Sequence, residues 1–171
     1  MLAKGTSMVV GVDATASILL VNDDPGALFA LRAVLSDLDA AIVSAASGDE
    51  ALLRLLKQDF AVIVLDVKMA GLDGFETARL IRRRPRSRDT PIVFLTSHRA
   101  TDLDRSKGYS VGAADYIFMP VAPEVLKAKM QVFLDAARTK VHQPRAELVQ
   151  AGAGAGADAD APLPADGPEE S

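Results

Sequence analysis

The chain has 171 residues, and 49% of them are apolar, which allows one domain of ordinary size with a substantial core. A net charge of −4 speaks against nucleic acid as a direct partner, because binding phosphates needs a basic surface. With no cysteine there can be no disulfide, no thiolate catalysis and no cysteine-bound zinc.

The elements then follow in order. Residues Met1 to Ser17 have no clear period and read as a flexible lead-in; the run Met8–Val12 is too short for a signal segment and stops at Asp13. Ile18-Leu19-Leu20-Val21 is a first apolar strand. Asp24-Pro25 opens a helix, with Asp as N-cap and Pro at the first helical position. Leu28, Leu31, Val34, Leu35 and Leu38 recur at helical spacing. Ala41–Ala45 is a second strand. Ser47 and Glu50 have the spacing of a reciprocal capping box before a helix carrying Leu52, Leu55 and Leu56. Ala61-Val62-Ile63-Val64-Leu65, apolar throughout, reads as a strand covered on both faces and ends at Asp66.

After it, Asp73 and Glu76 cap a third helix with Phe75, Ala78 and Ile81 inward, and Gly71 and Gly74 read as turn formers. The arginine-rich run Arg82–Arg88 sits at that helix's C-terminus, where cations suit the dipole, and reads as a solvated loop. Pro91–Leu95 is a fourth strand, Thr101–Ser110 a weak helix, and Tyr116-Ile117-Phe118 a short fifth strand. Pro123 opens a last helix with Leu126, Met130, Phe133, Leu134 and Ala137 on one face. From about Ala151 the chain is Ala, Gly, Asp and Pro with almost nothing to bury, and reads as a disordered tail. The expected organisation is a lead-in over 1–17, one domain over 18–140, and a linker and tail over 141–171.

Five strands each followed by a helix imply a doubly wound parallel sheet with helices on both faces. In such sheets the working site lies beyond the carboxyl ends of the strands. Those ends carry Asn22-Asp23-Asp24, Asp66, Thr96-Ser97 and Met119-Pro120. Carboxylates converging there repel one another unless a cation sits between them, and magnesium suits one or two carboxylates with water and phosphate oxygens. A carboxylate beside such an ion can attack a phosphoryl donor.

The pattern resembles a known family. ILLVNDDP (18–25) looks like the opening of a response-regulator receiver domain, and VIVLDVKMAGLDGFE (62–76) like its phosphoacceptor strand and following loop. IVFLTS (92–97) looks like the strand with the switch threonine, and GAADYIFMPVAPEVL (112–126) like the segment with the switch aromatic. The resemblance to CheY-like receivers implies a flavodoxin-like (βα)5 fold with strand order 2-1-3-4-5. It implies Asp66 as phosphoacceptor, Thr96 as the hydroxyl contacting the phosphoryl group, and Tyr116 as the aromatic that reports on that contact. Magnesium would be held by Asp23, Asp66 and the Lys68 backbone carbonyl, with Asn22 reaching it at most through water. Two positions depart from the family's pattern: Asn22 stands where a first acid is usual, and Met119 where a lysine is usual.

The function implied is a phosphorelay receiver with only self-phosphorylation and autodephosphorylation chemistry. It would be phosphorylated by a histidine kinase or phosphotransfer protein and would regulate a downstream target protein by contact. The surface around the fourth helix, fifth strand and fifth helix would be its docking face, and the face of a homodimer. The segment after Lys140 is too short and polar for a DNA-binding domain, so the expectation is a stand-alone cytoplasmic receiver without membrane contact. The alternative is a receiver-fold binding module that works without phosphorylation, which Asn22 and Met119 favour. Neighbouring enzyme classes fit poorly. Haloacid-dehalogenase phosphatases need an acid where Lys68 stands, and the acids after the first strand would repel a flavodoxin's phosphate. His98, close behind the fourth strand, reads as a surface histidine near the site; it and His142 have no metal-ligand spacing.

Overall fold

The computed structural model describes residues 15–97 and 101–142. Most of the lead-in, the tail and His98 lie outside the described residues. Strands β1 (Ser17–Val21), β2 (Ala41–Ala45), β3 (Val62–Asp66), β4 (Ile92–Ser97) and β5 (Asp115–Met119) alternate with helices α1 (Pro25–Leu35), α2 (Gly48–Lys57), α3 (Gly74–Arg83), α4 (Asp102–Ser110) and α5 (Pro123–His142). All strand pairs are parallel, and the order is β2-β1-β3-β4-β5. This is the flavodoxin-like winding that the resemblance implied. Among the described residues no helix is long and apolar enough to cross a membrane.

The strand composition dictates the layering. Val62, Ile63, Val64 and Leu65 of β3 are all buried, so the strand needs cover on both faces. Leu31 and Leu35 of α1 with Leu126, Met130 and Leu134 of α5 cover one face, against Ile18, Leu20, Val62 and Val64. Leu52 and Leu55 of α2 with Phe75, Ala78 and Ile81 of α3 cover the other, against Leu19, Ile63 and Leu65. Each such side chain contributes about 1.5–3 kcal/mol on burial. A one-residue slip of β3 would carry Asp66 into the buried position of Leu65, so the register is strongly set.

The helix starts follow their capping residues. The Asp24 side chain accepts from Gly26 N at 2.9 Å, with Pro25 behind it. Asp73 and Glu76 form a reciprocal box at 2.8 and 3.1 Å. A second box, Thr101 with Asp104, opens α4. The expected box at Ser47 is only half made: Ser47 Oγ accepts from Glu50 N at 3.1 Å, but the Glu50 carboxylate takes the Ala46 N–H, one residue earlier. Leu56 of α2 faces solvent, because Ala51 with Leu52 and Leu55 already fills the stripe toward the sheet.

The arginine run is exposed at Arg83, Arg86 and Arg88, as a solvated loop would be, but Arg82, Arg84 and Arg86 are also tied into the scaffold. Arg82 donates to the carbonyls of Arg88, Thr90 and Gly112 at 2.7–2.9 Å. Arg84 donates to Leu52 O at 2.9 Å, and Arg86 to Leu56 O at 3.0 Å and Asp59 at 2.6 Å. Arg86 thereby satisfies one of the last carbonyls of α2, which the helix leaves unpaired, while Arg82 ties the loop after α3 to Gly112.

Gly71 turns the β3–α3 loop at φ 74°. Gly74 is not a turn former but the first residue of α3, chosen for closeness. Its N–H donates to Val67 O at 2.9 Å, and a Cβ here would run into the Asp66 carbonyl and come within 2.8 Å of Val67 Cα. Those contacts are backbone, so they cannot swing away. Gly74→Ala is expected to destabilise the domain by about 1–3 kcal/mol, the usual cost of overpacking, read as a lower urea midpoint. An unchanged midpoint would mean that this loop yields freely.

Candidate functional site

β3 delivers Asp66 to the edge of the sheet. Val21 pairs with Leu65, so the chain leaving β1 at Asn22 and Asp23 runs level with Asp66. Asp66 pairs with Leu95, which brings Thr96 one residue further along β4, and Ser97 lies opposite Met119. Asn22, Asp23, Asp66, Thr96 and Met119 line one hollow of about 380 Å³. The five residues singled out at the strand ends are therefore together in space.

Three neighbouring acid or amide groups divide the work. Asn22 Oδ1 accepts from Asp24 N at 2.9 Å and shapes the turn. Asp24 caps α1. Asp23 Oδ2 accepts from Ala70 N at 2.9 Å, tying the β1–α1 loop to the β3–α3 loop. With Asn22 and Asp24 so engaged, Asp23 is the acid left beside Asp66.

Burial pushes the Asp66 carboxyl up to about 6, and the Asp23 charge adds to the rise. The Val67 and Lys68 backbone N–H groups and the Lys68 ammonium pull the other way and do not cancel it. Among the described residues no group of three or more His, Cys, Asp or Glu is placed to hold a metal. Two carboxylates are nevertheless what a magnesium site asks of a protein, the remaining positions going to a backbone carbonyl, water and phosphate oxygens. Asp23, Asp66 and the Lys68 carbonyl fit that ion, which would relieve the repulsion that raises the Asp66 pKa.

Thr96 is buried at 2% exposure just beyond Asp66. Tyr116 lies below the hollow rather than in its lining. Its ring stands 5.8 Å from Phe94 and 5.4 Å from Phe118, and packs so closely on Gly108 of α4 that a Cβ there would lie 2.8 Å from it. The Tyr116 hydroxyl is buried and has no hydrogen-bond partner among the described residues. Burial first, and then the Asp104 charge, raise its pKa, while the Thr96 hydroxyl acts in the opposite sense from short of bonding geometry. Arg105 of α4 sits 4.7 Å over the Phe118 ring.

Asp23 lines two unlike hollows, and Asp66 lines the first of them. The one already described runs between α1 and α5, its walls apolar at Leu31, Val34 and Leu126, and among the described residues no lysine or arginine lines it. The other, of about 500 Å³, opens between the β3–α3 loop and α4. Asp23, Asp73, Asp104, Lys68 and Lys107 are among the residues that line it. The sequence reading used only the carbonyl of Lys68. The cue to its side chain was its place two residues after Asp66.

Fold and site together define a doubly wound α/β module with carboxylates and a buried threonine at its strand ends. Residues 18–131 match the family model for the response regulator receiver domain. The AfsQ1 transcriptional regulatory protein of Streptomyces coelicolor is 40% identical over 118 residues, covering 69% of this chain and 51% of that protein. YvrH of Bacillus subtilis, also a transcriptional regulatory protein, is 40% identical over 120 residues, covering 70% and 49%. The chain thus spans about half the length of the curated relatives it matches. The solved structure of the chemotaxis protein CheY4 of Vibrio cholerae superposes with a TM-score of 0.66 at 31% identity, covering 70% of this chain and 99% of that one. The chain belongs to the response-regulator receiver family of two-component signalling systems, and its receiver is a signalling module rather than a conventional enzyme.

The Asp66 environment has a consequence for stability. Its folded pKa, about 6, exceeds the ordinary 3.8. The folded state therefore holds the proton more tightly, and stability falls as pH rises between those values. The cost is complete above about pH 6 and absent below about pH 4. Asp66→Asn is expected to stabilise the metal-free domain at pH 7 by about 1 kcal/mol, discounted because the group is only half-buried. The gain should vanish near pH 4. Urea titrations at both pH values check this; equal gains at both would mean that the charge at Asp66 is not the cause.

Proposed function

We propose that this receiver accepts a phosphoryl group on Asp66 from a histidine kinase or phosphotransfer protein and passes the change on by protein contact. The observation that carries the reading is the half-buried carboxylate at the end of β3, beside Asp23 and one strand from the Thr96 hydroxyl. In the step, an Asp66 carboxylate oxygen attacks phosphorus. The bond from phosphorus to the donor breaks, and its electron pair leaves with the donor group. Magnesium, held by Asp23, Asp66 and the Lys68 carbonyl, would supply positive charge to the transferring oxygens. The Thr96 hydroxyl would donate to a phosphoryl oxygen, and Tyr116 beneath it would feel the change. The face formed by α4, β5 and α5 would carry the signal to a target protein or a second copy of the chain.

Met119 favours a graded rather than complete switch. An ammonium at the end of β5 would form a charge-assisted bond with the phosphoryl group, stronger than any contact a thioether can make. A switch moves only as far as the difference in binding between its states.

Incubation with acetyl phosphate and magnesium should add one phosphoryl mass to the wild type and none to Asp66→Asn; equal labelling of the two would reject Asp66. Beryllofluoride should shift NMR signals around Thr96 and Tyr116 partly in the wild type and further in Met119→Lys. No shift in either would favour the alternative, a binding module that works without phosphorylation, for which Met119 and the apolar α1–α5 hollow also speak.

A further inference from the structure

The two hollows differ in charge. A phosphoryl group on Asp66 would replace the single carboxylate charge by about two negative charges at neutral pH, beside Asp23. On the α1–α5 side it would meet Asp23, Asp24, Thr96 and Met119, and no cation among the described residues. The other hollow, which Asp23 also lines, holds Lys68 and Lys107 beside Asp73 and Asp104. Lys107 lies in the second turn of α4. Lys68 lies two residues from Asp66 on the same loop, exposed, and makes no hydrogen bond or ion pair within 4 Å among the described residues. Lys68 lines one hollow with Asp23, Asp104 and Lys107, and its charge favours the ionised carboxylates of both Asp66 and Asp104.

We propose that the Lys68 ammonium is the side-chain cation of this site: it binds a phosphoryl oxygen from the β3–α3 loop side and does there what no residue at the end of β5 can do. The proposal rests on the reading of Asp66 as phosphoacceptor. It involves no new covalent step; the ammonium donates a hydrogen bond and keeps its proton. It also assigns the residue two separable parts, since the backbone carbonyl that would face magnesium survives any side-chain substitution.

The test is the rate of acetyl-phosphate labelling of the full chain at saturating magnesium, in wild type, Lys68→Gln, Lys68→Arg, Met119→Lys and the double variant Lys68→Gln/Met119→Lys. Lys68→Gln should slow labelling about tenfold, the scale of one charge-assisted hydrogen bond in a partly open site. Lys68→Arg should recover most of the rate. In the Met119→Lys background, where a second cation stands by, Lys68→Gln should cost less than about threefold, because two cations serving one phosphoryl group are not additive. Equal tenfold losses in both backgrounds would point to a structural effect and overturn the proposal, as would wild-type labelling by Lys68→Gln. Failure of the wild type to label at all would remove the phosphoacceptor reading, and this proposal with it. Magnesium affinity, read by titration without a phosphoryl donor, should change less than twofold in Lys68→Gln; a larger loss would mean that the substitution disturbs the carbonyl rather than the ammonium.

Discussion

The burial of β3 on both faces is the constraint from which the rest of the molecule follows. A central strand with four consecutive buried side chains needs helices above and below, and that need fixes the doubly wound layering. It also leaves no place for a polar group except at the strand's end. Asp66 sits there, still paired with β4 but out of the core. Its carboxylate is caught between an apolar sheet behind it and water in front. That position raises its pKa and makes a cation welcome. The carboxylate and its electrostatic problem thus have one origin, and the neighbouring acids and lysines are arranged around it.

The loops that frame the site are held by backbone-level ties rather than by bulk. Asp23 accepts from Ala70 N, Gly74 N donates to Val67 O, and Asp73 with Glu76 fixes the start of α3. Each tie lies within a few residues of Asp66 or Asp23. Such a site can exchange ligands at its mouth while its carboxylates stay in place, because positioning comes from short hydrogen bonds on rigid element ends.

Much of this was legible in the sequence because its signals are local or periodic. The unbroken apolar run into Asp66, the Asp24-Pro25 cap and the Asp73–Glu76 box each specify their structure within a few residues. The half-made box at Ser47 shows the limit of such spacing rules. The same pair spacing fits Glu50 reaching Ser47 N or Ala46 N, and only the path of the chain after β2 decides. The arginine run misled for a related reason. Its partners are carbonyls 30 and 32 residues away in α2 and at Gly112, which no local pattern reveals. Lys68 shows a third kind of blindness. Its sequence position is plain, but its significance depends on which of two hollows holds the cations.

That asymmetry bears on the two departures at Asn22 and Met119. One removes a negative charge and the other a positive one, so the formal charge of the strand ends is the same as in the family's usual pattern. The distribution is not. Asn22 keeps a structural part, accepting from Asp24 N, without adding to the repulsion around Asp66. Met119 brings no charge to the β5 side, while Lys68 and Lys107 stand among Asp23, Asp73 and Asp104 between the β3–α3 loop and α4. A phosphoryl group held from that side would pull on the loop and on the Asp104 end of α4, where Lys68 already acts, rather than on β5. Tyr116 links the two regions, packed on Gly108 of α4 and ring to ring with Phe118 of β5. Moving the cation from one hollow to the other therefore changes which element first feels phosphorylation, and leaves the aromatic contact as the route by which β5 would learn of it.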